Sequence, residues 1–303
     1  MTSEIVSRPV LVHYHIFKNG GSTIDYVLER EFHSGFSTLH GPDASSTLTK
    51  SDLSKFLQGN PQVRAVSSHH LRYPTLRRDP ERVIDICMLR HPLDRLLSVY
   101  RYLRERHVVA DDPLCKAAGE LTAPQFFDLC LQHYPTWVRN VQVGWLAGDR
   151  DGQDSPGVAL AELPEIALLG TLDQFDESLV SWEYTLAPLY PGISFHYLAQ
   201  NLTQSPRSSL LQRLDRFRKL CGDGLFEELL EANSDDVKLF EAASSLVRQR
   251  FLGRADAEHW LREFRERNQR LEQQCRTSLR ARLRNRIFRN NFADHDYSGP
   301  GSH

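Results

Sequence analysis

Val10-Leu-Val-His-Tyr-His-Ile-Phe-Lys-Asn-Gly-Gly-Ser-Thr-Ile-Asp-Tyr-Val-Leu-Glu-Arg30 decides the fold. Val10 to Phe17 is β-branched and aromatic, the composition of a strand buried against a core. Lys18 to Ser22 is short, polar and glycine-containing, so the chain turns sharply there. From Thr23 to Arg30, Ile24, Val27 and Leu28 fall at helical spacing. A strand, a tight glycine turn and a helix start together form an anion site. The first helical N–H groups lack intrahelical partners, and the macrodipole adds roughly half a positive charge. Gly20 and Gly21 let backbone approach a phosphate, Ser22 and Thr23 add hydroxyl donors, and Lys18 adds a mobile positive charge.

The turn departs from the common nucleoside-triphosphate loop, in which lysine follows the last glycine. Here Lys18 precedes both glycines. A second segment, Met88-Leu-Arg-His-Pro-Leu-Asp-Arg-Leu-Leu-Ser-Val-Tyr100, has the same architecture. Val83–Leu89 is the clearest strand in the chain, and Arg90 stands at its mouth. Leu96, Leu97, Tyr100 and Leu103 share one face of the helix that follows, with Ser98 two turns in. An arginine so placed can fork onto a phosphate while a serine hydroxyl completes the contact.

Phe17-Lys-Asn-Gly-Gly-Ser-Thr23 resembles the 5'-phosphosulfate loop of sulfotransferases, and Arg90 with Ser98 matches their 3'-phosphate segment at its spacing of eight. Phe17 stands where proline is usual, and His91 where Asp is commoner. Further echoes point to the carbohydrate-type branch, including uronyl 2-O-sulfotransferase-like enzymes. They are Asn140-x-Gln142 through Gly148, Gly170 through Leu179, and Asn233-x-x-Asp236-x-x-Leu-Phe240. The resemblance implies a donor, 3'-phosphoadenosine-5'-phosphosulfate (PAPS), held by Lys18, Asn19, Gly20, Gly21, Ser22, Thr23, Arg90 and Ser98, with no metal. It also implies in-line sulfuryl transfer to a hydroxyl of a carbohydrate or related small acceptor. A base must take the acceptor proton, and histidine titrates near neutrality. Ser68-His-His-Leu-Arg-Tyr73 follows a short strand over 63–68, and His70-x-x-Tyr73 resembles the Gly-His-x-x-Tyr/Phe of carbohydrate-type members with serine-histidine in place of the preceding glycine, which implies His70 first and His69 second for that role. Lys18 would also neutralise charge on the leaving phosphate. His13 and His15, alternating on the first strand, read as packing residues. Two rival functions stay open: a nucleotide-dependent kinase, which needs a Walker lysine and a magnesium carboxylate, and a binding module that keeps the pocket without turnover.

The rest of the chain frames these motifs. Strand, helix, strand, strand, helix with short connections predicts an α/β fold, a P-loop-like parallel sheet flanked by helices. The 303 residues read as a single domain whose part from 190 to 290 is mostly helical, ending in a frayed tail over 294–303. Residues 33–52 read as a loop leading into a helix capped at Ser51-Asp52, and 107–120 as a surface loop. Residues 33–60 and 107–120 would shape the acceptor pocket. A net charge of −2 gives no argument for nucleic acid. Five scattered cysteines fit a reducing compartment and argue against a disulfide framework or a zinc site. No apolar run approaches the roughly 18–20 residues of a membrane span, which suggests a cytoplasmic protein. From Arg254 to Arg289, eleven arginines face five acidic residues. Their helix also carries an apolar stripe, which suits core packing or a homo-oligomer contact better than an anion-binding face.

Overall fold

The computed structural model describes residues 9–43, 46–73, 83–106, 108, 112–148, 156–198 and 208–277. Five strands, β1 (Val10–Tyr14), β2 (Phe36–Thr38), β3 (Ala65–Ser68), β4 (Val83–Leu89) and β5 (Leu168–Thr171), form one parallel sheet in the order β2-β3-β1-β4-β5. Helix α1 (Gly21–Phe32) and helix α2 (Lys50–Gly59) carry the chain from β1 through β2 to β3. The chain then passes to the other side of β1, and the connection from β4 runs away from it toward β5. Neighbouring strands β1 and β4 therefore send their chains in opposite directions, which is the arrangement that opens a crevice at the carboxyl ends of a parallel sheet. Register sets the height of that crevice: Tyr14 lies opposite Ser68 on β3 and Cys87 on β4, and Leu89 lies opposite Thr171. The segments holding Lys18, His69 and Arg90 all leave the same edge.

Period-two alternation divides the core between the two faces of the sheet. Val12, Tyr14, Val66, Cys87 and Leu169 pack on one side with α2, α7 (Val141–Ala147), α8 (Pro156–Glu162) and α12 (Ser234–Leu252). Leu11, Ala65, Ile86, Met88 and Leu168 pack on the other with α1, α9 (Phe175–Leu186) and the start of α13 (Ala257–Thr277). A third apolar cluster joins α3 (Pro92–Arg106), α4 (Pro113–Glu120), α5 (Ala123–His133), α10 (Leu210–Cys221) and α11 (Asp223–Ala232); the one-turn helix α6 (Pro135–Val138) adds Val138. None of the described helices is long and apolar enough to cross a membrane.

Several expectations need correction. The loop over 33–52 contains β2, the sheet's edge strand, and α2 is capped by Thr49, whose backbone N–H donates to Asp52 at 2.8 Å. Three residues pairing with β3 are too short to show a period. The loop over 107–120 contains α4, started by Asp112, which accepts from the Cys115 N–H at 2.9 Å, with Pro113 following it. The first strand stops at Tyr14, so Phe17 sits in the turn, packed edge-on against Tyr102 and Trp137. The tail over 294–303 and the later part of the arginine-rich helix lie outside the described residues.

Within the described part of α13, Leu261 and Phe264 are buried. Two of its cations are matched by acids of α9: Arg265 lies 3.0 Å from Asp176, and Arg267 lies 2.6 Å from Glu183. This half of the helix belongs to the core. Phe264→Ala should therefore cost about 3–5 kcal/mol in urea unfolding, the range for a fully buried aromatic. An unchanged midpoint would mean that α13 does not dock.

Candidate functional site

The turn after β1 is shaped by its backbone. Lys18 and Gly20 both have positive φ, +67° and +83°, and Gly20 caps α1. Among the described residues, the N–H groups of Gly20, Gly21 and Ser22 donate to no backbone carbonyl. Ser22 is exposed and Thr23 is buried. Three unspent donors at a helix start make a site for an anion. The Lys18 ammonium lies 4.4 Å from the centre of the Tyr102 ring. Burial and then the nearby Arg90 charge push the Lys18 amine down to about 8. An amine so destabilised in its charged form gains from any anion placed beside it.

Arg90 points at this turn. Its Nη1 donates to the Lys18 carbonyl at 2.8 Å and its Nε to Asp94 at 2.8 Å, leaving Nη2 without a hydrogen-bond partner among the described residues. Ser98, on α3, is buried and its hydroxyl makes no hydrogen bond among them. The sequence reading missed three guanidinium groups nearby. Arg213 of α10 lies 3.1 Å from Asp94 and pairs with Asp173. Arg101, one turn beyond Ser98, lies within electrostatic reach of Asp94, Arg216 and Arg90. Burial pushes the Asp94 carboxyl up, but Arg90 and Arg213 outweigh it and hold the group below its usual range. Helical spacing from Ser98 could have flagged Arg101. Nothing local marks Arg213 or Arg216, which arrive from a helix far along the chain.

A buried side-chain network fixes the two segments relative to each other. Gln142 accepts from the Arg90 N–H at 2.9 Å, donates to the Arg90 carbonyl at 2.8 Å, and accepts from Asn19 Nδ2 at 2.8 Å. Asn19 Nδ2 also donates to the Met88 carbonyl at 2.9 Å, so Asn19 is a clamp rather than an open ligand. Gln142 is aimed by a reciprocal cap: Asp236 of α12 accepts from the N–H groups of Gln142 and Val143, while Asn140 accepts from the Asp236 N–H. Asn233 accepts from the Asn140 N–H. Two segments noted only as weak echoes in the sequence thus converge on the site.

On the side of β3 lies a stack of imidazoles. His13 and His15 share the sheet face covered by α1, where one carboxylate takes both: His13 Nδ1 donates to one Asp25 oxygen and His15 Nδ1 to the other, each at 2.7 Å. These are hydrogen-bonded network residues, not the packing residues expected. Burial pushes the Asp25 carboxyl up, but the two imidazoles hold it well below its usual range. His13, His15 and Asp25 bring three potential ligand atoms within 4.8 Å of one another. The His15 ring also lies against the glycine turn, so close that a Cβ on Gly21 would sit 2.0 Å from its Cδ2.

His69, partly exposed, lies against His15 with ring centres 3.9 Å apart and the rings tilted by 36°. Its Nδ1 donates to the His15 carbonyl at 2.8 Å, which in the neutral ring leaves Nε2 as the basic nitrogen. Burial and then His15 push its pKa well below the ordinary value. His70 is different: it is buried, and its Nδ1 accepts the Gly41 N–H at 2.7 Å, so the proton sits on Nε2. His70 anchors the loop after β2, and the exposed His40 lies over both rings.

No protein-family model matches the chain. The chain is similar to an uncharacterized protein of Archaeoglobus fulgidus, 25% identical over 253 residues that span 81% of this chain and 100% of the relative.

The contact between His15 and Gly21 predicts that Gly21→Ala distorts the turn. Its thermal midpoint should fall by several degrees in scanning calorimetry; a wild-type midpoint would contradict the packing described.

Proposed function

We propose that this chain is a PAPS-dependent O-sulfotransferase acting on a hydroxyl of a carbohydrate or related acceptor, within the cytoplasm. The observation that carries the reading is the Arg90 guanidinium, which reaches from the mouth of β4 to the Lys18 carbonyl at 2.8 Å and so joins two anion-binding turns in one crevice. The donor set suits a ligand with phosphates at two ends. Unspent N–H groups and Lys18 lie at one end, and Arg90 Nη2 with Ser98 at the other. When bound, PAPS supplies the sulfuryl group and a phosphate leaving group, chemistry in which positioning and charge stabilisation carry most of the rate.

The chain's own residues then have separate tasks. Gly20 to Thr23 and Lys18 hold the 5' end, and the Lys18 charge stands ready for negative charge that grows on the leaving oxygen. Arg90 and Ser98 hold the 3'-phosphate. Asn19 positions the turn through Gln142. For the acceptor proton we assign His69 Nε2, since the Nδ1 donor bond fixes the tautomer a base needs, whereas His70 spends its Nδ1 on Gly41. The turn lacks the lysine placement of a kinase, and β4 ends in Arg90 rather than a magnesium carboxylate.

Calorimetry with adenosine 3',5'-bisphosphate should give tight binding that weakens roughly 30- to 1,000-fold in Arg90→Ala, or about 2–4 kcal/mol for loss of a charged partner. His69→Ala should bind this nucleotide as wild type does, yet lose about 10²–10⁴ in transfer from labelled PAPS to a glycan panel. Retention of nucleotide by wild type without transfer to any acceptor would make the chain a binding module instead. No nucleotide binding at all would refute the reading.

The same titration has a defined pH profile. With its pKa lowered to about 8 in the free protein, Lys18 carries its charge below that value and loses it above. Affinity should be level from pH 6.5 to 7.5, then fall as pH rises through 8 and beyond. Lys18→Met should abolish that fall, and a profile flat to pH 9.5 would remove Lys18 from the site.

A further inference from the structure

At the opposite end of the sheet, beside the start of β5 and between α9 and α12, lies a cavity of about 180 Å³. Its walls are of two kinds. Leu169, Trp182 and Val247 make an apolar surface, with the Trp182 indole N–H already donating to the Leu169 carbonyl at 3.0 Å. The polar wall is unusual because it holds donors that lack acceptors. Ser181 is 6% exposed and its buried hydroxyl has no partner, and the buried Nε of Arg254 has none either.

Charge points the same way. Arg250 spends its guanidinium on the carbonyls of Ile166 and Pro164, at 2.7 and 2.6 Å. Arg254 donates to the Thr185 hydroxyl at 2.9 Å and stacks on the Tyr184 ring at 4.3 Å. Among the described residues neither arginine has a carboxylate partner. Burial lowers the pKa of both, and Arg254 lowers that of Arg250 further. Two partly desolvated cations with no counter-charge, next to unpaired donors, cost free energy that an anion would recover. A fully hydrated anion such as phosphate would find no free donor along Leu169, Trp182 and Val247, whose one N–H is spent on the Leu169 carbonyl. A carboxylate on a compact apolar body suits both walls.

We infer that this cavity is a second ligand site, remote from the Lys18–Arg90 crevice, for a small monocarboxylate with an apolar ring or short chain. One carboxylate oxygen accepts from Arg254 Nε and the other from Ser181 Oγ, while the apolar body lies on Trp182 and Val247. The site is independent of the activity proposed above.

The test is titration of the full-length protein with benzoate, benzyl alcohol and inorganic phosphate, read by calorimetry and by tryptophan fluorescence. Benzoate should bind saturably at one site with a change in emission, while the neutral alcohol and phosphate should bind at least tenfold more weakly. Arg254→Ala should weaken benzoate at least tenfold. Ser181→Ala, a small change that keeps the helix, should weaken it about threefold and carries the test if the arginine variant is unstable. Adenosine 3',5'-bisphosphate affinity should be unchanged in both variants. Absence of saturable benzoate binding, equal binding of benzyl alcohol, preference for phosphate, or indifference to both substitutions would each overturn the assignment.

Discussion

A single buried amide holds the site together. Gln142 bonds the backbone of Arg90 in both directions and at the same time takes the Asn19 amide, so turns 72 positions apart in sequence are held at one height. A side chain with no exposure and every polar atom engaged is costly to misplace, because each broken bond leaves a desolvated group behind. That cost is what makes the geometry unique. It is met from outside the sheet, by the mutual capping of α7 and α12 through Asp236 and Asn140. The helical C-terminal region is therefore part of the site's foundation.

Around that anchor the crevice divides by charge. Toward β4, α3 and α10, guanidinium groups outnumber the carboxylates that hold them, and Asp94 takes both Arg90 and Arg213. Toward β3, imidazoles stack on one another above a single buried carboxylate, and low dielectric keeps His13 and His69 biased to their neutral forms. One side suits fixed anions and the other suits a group that accepts and returns a proton. Lys18, strained in its backbone and depressed in its pKa, stands at the border between them.

How much of this was legible in the sequence varied with the range of the forces involved. Val83–Leu89 and the helix after Arg90 were placed nearly to the residue, since their burial writes a clear period. Lys18, Gly20, Gly21 and Arg90 stood out as candidates from their place at strand-to-helix turns, and the structure brings the two turns together at the Lys18 carbonyl. β2 was missed because pairing with a neighbour, not its own three residues, makes it a strand. α4 was missed because its start signal, Asp112-Pro113, introduces only eight residues, too few to write a clear helical period. The roles of Gln142, Asp236 and Asp25 were out of reach, since each depends on partners ten or more residues away. The proposed order of His69 and His70 reverses the one read from sequence, because their Nδ1 atoms play opposite hydrogen-bonding parts, donor in His69 and acceptor in His70.

The central claim is that one doubly phosphorylated adenosine compound spans the two turns. The most direct measurement is a crystal structure of the protein with adenosine 3',5'-bisphosphate. The account predicts the 5'-phosphate on the Gly20, Gly21 and Ser22 N–H groups beside Lys18 and the 3'-phosphate on Arg90 and Ser98. Both phosphates on one turn, or a nucleotide bound elsewhere with Arg90 still closed onto Lys18 and Asp94, would contradict it.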